Sequence, residues 1–252
     1  MFHNFDGILW VLLSLGALSL LQRRLHREIQ IVFLILTRRS EIAMILFSLV
    51  FFPGVVLHES SHFVMAKLLG VSTGRVSFLP KDKGDGRLQL GFVETESTDI
   101  VRESMIGAAP LIFGGLFMAY AAHFQLGLSS LWEPLLEGEI AALFRTLASL
   151  PVQSDFWLWV YLAVAVSSTM LPSSADRRAW LPFSASFAVL VLLAVIVGAG
   201  SWMLSALAPS LNTALRALAL VLGVGTLLHL VVFPAVWVFR VILSNLSGLQ
   251  PA

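Results

Sequence analysis

Cysteine is absent from the 252 residues, which excludes disulfides and thiolate metal ligands alike. Any metal must then be held by His, Asp or Glu. Charge is scarce too: Asp, Glu, Lys and Arg make up 12% of the chain, where soluble domains run nearer about a quarter. A formal net charge of +1 points to no nucleic-acid partner. What fills the chain instead is apolar, with 58% hydrophobic residues and a mean hydropathy of +0.88. This composition predicts an integral, multi-pass, all-α membrane protein built as one compact bundle in the lipid bilayer.

Apolar segments fall at about 7–21, 41–69, 104–124, 155–171, 183–207 and 214–241. A crossing needs about 20 apolar residues, so the expectation is six transmembrane helices. The first is short and ends in Gln22-Arg23-Arg24 without a small-residue cleavage site, which reads as an uncleaved span. Residues 29–36 are ambiguous and also read as an interfacial helix. The division is an N-terminal span with a basic connection (1–40), a three-span core with a hairpin (41–180) and two C-terminal spans (181–252). Within 71–102, two partly alternating runs, Arg75 to Pro80 and Arg87 to Val93, flank the glycine-bearing stretch 81–86. That pattern predicts a small β-hairpin, with a disordered polar loop as the alternative. An amphipathic stretch at 134–147 predicts a surface helix.

Against this background His58-Glu59-Ser60-Ser61-His62 is conspicuous. Residues four apart share a helix face, so both imidazoles can address one metal ion. Glu59 lies where it can take a proton from a water that the metal activates. Ionisable groups at membrane depth are costly, and three together ask for a function. The alternative is a polar cluster that joins helices without a metal. Apolar flanks at 42–57 and 63–69 exclude a soluble site, and Pro53-Gly54 predicts a kink just before the motif.

A catalytic zinc usually takes three protein ligands. Candidates in or beside the later spans are His123, Asp155, Asp176 and His229. From Glu41 to His58 is 17 residues, about 26 Å of helix, and the span from Asp155 runs parallel to the motif helix after one return. Asp176, 21 residues or about 31 Å further on, reaches the motif's depth, whereas Asp155 and His123 lie near the opposite face. His229 remains a candidate, mid-span in the last helix. Pro172 breaks the helix within Ser167–Asp176, which fits a carboxylate presented to a polar cavity. An ordinary helix end with Asp176 paired to Arg177 or Arg178 is the alternative.

The order of parts over residues 41–178 resembles the site-2 protease family of intramembrane zinc metalloproteases, and residues 58–70 resemble that family's zinc helix in their flanks. The resemblance implies one Zn2+ on His58, His62 and Asp176, with Glu59 as catalytic base. It also implies cleavage of a membrane-protein substrate helix, held by an edge strand of the hairpin. The family's N-x-x-P-x-x-x-L-D-G element is altered: Ser168 holds the asparagine position, Pro172 is shifted by one, and Arg177 replaces the glycine. Its G-P-x-x-N element is echoed only by Gly107-Ala108-Ala109-Pro110. This describes a divergent, bacterial-type branch.

For orientation, Lys67, Arg75, Lys81, Lys83, Arg87, Arg102, Arg177, Arg178 and Arg240 fall on the motif's side, against Arg23, Arg24, Arg27, Arg38, Arg39, Arg145 and Arg216 opposite. The positive-inside rule barely prefers a cytoplasmic site, and the arginine cluster after the first span argues against it. The resemblance favours a bacterial cytoplasmic membrane with the site facing the cytoplasm, and both chain ends there if all six segments cross. An inactive helix-binding relative and a metal transporter are the rival functions.

Overall fold

The structure, a computed structural model, describes residues 6–78, 81–82, 88–89 and 91–248. Helix α1 (Asp6–Thr37) runs unbroken for 32 residues, about 48 Å. It passes straight through Gln22-Arg23-Arg24, so the expected short span and the separate element at 29–36 are one helix. The reason lies in its buried stripe: Leu18, Leu25 and Val32 recur every seven residues across the basic patch. Arginine is itself a good helix former. The helix stops at Arg38, which takes a left-handed φ of 54°.

Helices α2 (Ser40–Val50) and α3 (Phe52–Leu68) form a pair bent by 67°. The predicted kink is there: Pro53 sits in the first turn of α3, where its missing N–H is harmless. A Cβ on Gly54 would collide with the Ala165 carbonyl, so glycine at this position permits the close approach of the later helix.

The predicted hairpin follows. Strand β1 (Thr73–Ser77) leads through β2 (Lys81–Asp82) and β3 (Leu88–Gln89) to β4 (Phe92–Thr95). Strands β1 and β4 pair antiparallel, Val76 opposite Val93, and β2 pairs with β3, Lys81 opposite Gln89. The glycine-bearing turn at 83–86 lies outside the described residues.

Helix α4 (Ile100–Tyr120) is capped by Asp99, whose carboxylate accepts from the Arg102 and Val101 amides at 3.0 and 3.1 Å. Those bonds, led by the one from Arg102, hold its pKa below the usual carboxylate value. A π-helical turn, Ala121–Gln125, extends α4. The expected surface helix is two short ones, α5 (Trp132–Glu137) and α6 (Ile140–Ser149), neither with a buried residue. Gly138, at φ +69°, separates them.

Helix α7 (Phe156–Ser167) precedes a non-helical stretch, 168–179, and then α8 (Trp180–Ile196), a short α9 (Gly200–Trp202) and α10 (Ala208–Ser247). Helices α3 and α7 run parallel. Val50 accepts from the Tyr161 hydroxyl, Gly54 abuts Ala165, and His58 meets Thr169, each pair 111 residues apart. Helix α4 runs antiparallel to α7, with Gly107 beside Asp176 and Gly114 beside Met170.

Helices α1 and α10 are bound along their length. Arg216 pairs with Asp6 at 2.6 Å, Thr226 donates to the Ser14 carbonyl at 3.4 Å, and Arg240 pairs with Glu28 at 2.7 Å. The sequence offsets are 210, 212 and 212, so the two helices are parallel. Six successive crossings would leave the first and last antiparallel, and the expectation of six is corrected here. Three helices are long and apolar enough to cross a membrane: Asp6–Thr37, Ile100–Gln125 and Gly200–Ser247, with the bent pair a further candidate. Helix α7 has 12 residues, about 18 Å. The apolar segment 183–207 breaks at Gly198, φ +91°, and its second half belongs to the last long helix.

Leu18, Met118, Ala163, Val166, Met170 and Leu222 meet in the main buried cluster, joining α1, α4, α7 and α10. Many large apolar side chains, including most of α8, stay exposed, as expected of surfaces that face lipid.

Candidate metal centre

Helix α3 carries His58, Glu59 and His62 on one side, Glu59 and His62 each 7% exposed. The segment after α7 brings Asp176 to them. His62 Nε2 stands 3.3 Å from Asp176 Oδ1, His58 Nε2 lies 3.7 Å from Asp176 Oδ2, and the two Nε2 atoms are 3.2 Å apart. These three side chains are the one group of its kind found among the described residues.

The other ring nitrogens decide the protonation pattern. His58 Nδ1 donates to the Thr169 carbonyl at 2.6 Å, and His62 Nδ1 donates to the Ile106 carbonyl at 2.8 Å. A carbonyl oxygen can only accept, so each Nδ1 carries a proton, and in the neutral ring Nε2 is then the atom with the lone pair. Two neutral rings so arranged face their lone pairs at 3.2 Å beside a carboxylate, and a cation among them, a metal ion or a proton, relieves the repulsion. For bonds of about 2.0–2.1 Å in a tetrahedral site, donors sit roughly 3.3 Å apart. With one ligand atom from each residue all within 4.8 Å of one another, the group is compact enough for a small divalent ion, and the backbone carbonyls supply the orienting contacts such ligands need.

Asp176 is fixed by its own turn, its Oδ2 accepting the Ser173 amide at 2.6 Å. The neighbouring arginines do not claim it. Arg178 Nε donates to Glu103 at 2.9 Å, and Arg177 donates to the Ser173 carbonyl. Gly107 of α4 makes room, since a Cβ there would overlap the Asp176 carbonyl. Gly91 does the same for the hairpin, where a Cβ would lie 2.7 Å from Glu59 Cγ.

The other candidate ligands are elsewhere. His229 is fully buried, its Nδ1 donating to the Gly225 carbonyl and its Nε2 accepting from the Ser168 hydroxyl at 2.9 Å. His123 meets Phe124 edge to face in the π-turn beyond α4, and Asp155 precedes the opposite end of α7.

A cavity of about 620 Å³ opens on the group, lined by His58, Glu59, His62 and Asp176 together with Phe92 and Val93 of β4. Helix α1 closes another wall with Gln22 and His26. Sequence reasoning missed those two. Their only local signal is a polar i, i+4 pair beside arginines that looked like a helix end.

No family model, no curated protein and no solved structure matches the chain.

Proposed function

We propose that the chain is an intramembrane zinc metalloendopeptidase of the site-2 protease type, hydrolysing a peptide bond of a membrane-protein substrate within or near its transmembrane segment. One observation carries the reading: two imidazole Nε2 atoms, each on a ring whose Nδ1 donates to a backbone carbonyl, converge with a carboxylate within 3.7 Å beside Glu59. His58, His62 and Asp176 would hold the ion. Zinc so bound supplies Lewis acidity, making water nucleophilic near neutral pH and stabilising charge on a carbonyl oxygen.

Glu59 takes the proton from the attacking water and returns it to the leaving amine, consistent with its place on the cavity wall. The cavity admits water to an otherwise apolar bundle. A helical substrate hides its carbonyls in hydrogen bonds and must unwind first. Among the described residues strand β4 pairs with β1 alone and turns residues into the cavity, so its other edge suits the unwound segment by strand addition.

The basic residues support a cytoplasmic-facing site. Arg23, Arg24 and Arg27 lie within about 8 Å along α1 of Gln22 and His26, which line the cavity. Arg38 and Arg39 follow the end of the same helix, further from Asp6. All five therefore join the motif's side, leaving Arg145 and Arg216 opposite, a clear positive-inside bias. A bacterial cytoplasmic membrane is the setting this implies.

The test is paired metal and cleavage analysis of purified protein against a panel of single-span membrane peptides. Wild type should carry metal and cleave. Glu59→Gln should keep the metal and lose at least about a hundredfold in rate, and Asp176→Ala should lose metal and activity together. Cleavage unaffected by Glu59→Gln overturns the mechanism.

A further inference from the structure

Three buried side-chain polar atoms among the described residues have no hydrogen-bond partner, and two of them, Gln22 Oε1 and His26 Nε2, belong to residues lining the cavity. Buried polar atoms are rarely left unpaired, because each gives up its bonds to water and gains nothing in return. Two on one helix face, four residues apart, point to a ligand that completes them.

Both side chains are held in place. The other amide atom of Gln22, Nε2, donates to the Ser168 carbonyl at 2.5 Å, which fixes Oε1 as a free acceptor. The His26 ring packs against Phe47 and Phe51, with centroids 5.2 and 4.6 Å away. The pair also adjoins the metal group through the backbone, since Gln22 bonds the carbonyl of Ser168 and His58 that of Thr169.

We propose that Gln22 and His26 bind one backbone peptide unit of the unwound substrate segment, Gln22 Oε1 accepting its N–H and His26 Nε2–H donating to its C=O. This rests on the protease reading above. An unwound segment carries unsatisfied N–H and C=O groups into an otherwise apolar bundle, and an acceptor one helical turn from a donor is their complement. Neither residue is a metal ligand. Their part is to position the chain while Phe92 and Val93 line the same space.

The test uses full-length Glu59→Gln protein, which does not turn over. Its partner is a fluorescent apolar peptide of about 20 residues with a central Gly-Pro, and the readouts are peptide affinity and bound metal. His26→Phe keeps the packing on Phe47 and Phe51 but cannot hydrogen-bond, while His26→Gln keeps a donor. Expected are about tenfold weaker peptide binding for His26→Phe, the loss of one buried hydrogen bond, near-parental binding for His26→Gln, and unchanged metal in both. Parental affinity in His26→Phe, or equal weakening in both variants, overturns the proposal and leaves the protease reading intact. A Glu59→Gln parent that holds metal yet binds no peptide overturns the protease reading, and this proposal with it.

Discussion

At the scale of single residues, the site depends on which atoms the imidazoles cannot use. The carbonyls of Thr169 and Ile106 occupy both Nδ1 atoms, so both Nε2 atoms are committed to the space beside Asp176. Asp176 in turn depends on a residue without a side chain, because Gly107 is all that lets α4 lie against its backbone. Gly107→Ala should shift Asp176 and weaken metal binding about 10–100-fold, the usual cost of disturbing a ligand's support. A chelator-competition titration checks this, with circular dichroism unchanged. The His58-Glu59-x-x-His62 pattern was legible because a helix writes its faces at fixed spacing. Gly107 was not, since its role is set by a segment 69 positions away whose path no local pattern encodes. Gln22 and His26 were hidden for a related reason: the arginines beside them looked like the end of a span.

At the scale of elements, the stretch after α7 is the joint of the molecule. Its backbone leaves the helix after Ser167, Pro172 lacks the N–H that would take up the Ser168 carbonyl, and three other helices bond this stretch. Gln22 of α1 bonds the Ser168 carbonyl, His58 of α3 bonds that of Thr169, and His229 of α10 bonds the Ser168 hydroxyl. His229 is thus a strut rather than a ligand. Ser168→Ala and His229→Leu should each destabilise the protein by about 1–3 kcal/mol. The double variant should cost less than their sum, and a denaturation cycle on the four proteins reads that coupling. If the two effects simply add, the strut is absent. Depth arithmetic found Asp176 because α7 and α3 are parallel, as an intervening return dictates. The kink at Pro53-Gly54 and the hairpin were equally legible, each having its own turn chemistry.

At the scale of the whole molecule, the parallel pairing of α1 and α10 sets the topology. The ion pairs Asp6–Arg216 and Glu28–Arg240 lie 24 residues apart on α10, about 36 Å, against a hydrocarbon core of about 30 Å. They mark two levels that match a bilayer with its interfaces, and the metal group lies between them. The count of six failed because hydropathy records apolar length but not direction. The α1–α10 register is fixed by contacts more than 200 residues apart. A cysteine-free chain makes this testable by single-cysteine labelling in oriented vesicles. Arg24→Cys and Arg75→Cys should react from one face and Glu133→Cys from the other. Reaction of Arg24→Cys and Arg75→Cys from opposite faces would show the arrangement of α1 to be wrong.

The central claim is that His58, His62 and Asp176 hold one ion. X-ray absorption at the metal edge of the purified wild-type protein tests it directly. The expected spectrum is that of one zinc per chain with two imidazole nitrogens and oxygen completing the shell, lost in His62→Ala. Protein that is folded and monodisperse yet takes up no zinc, or binds it identically in His62→Ala, would contradict the account.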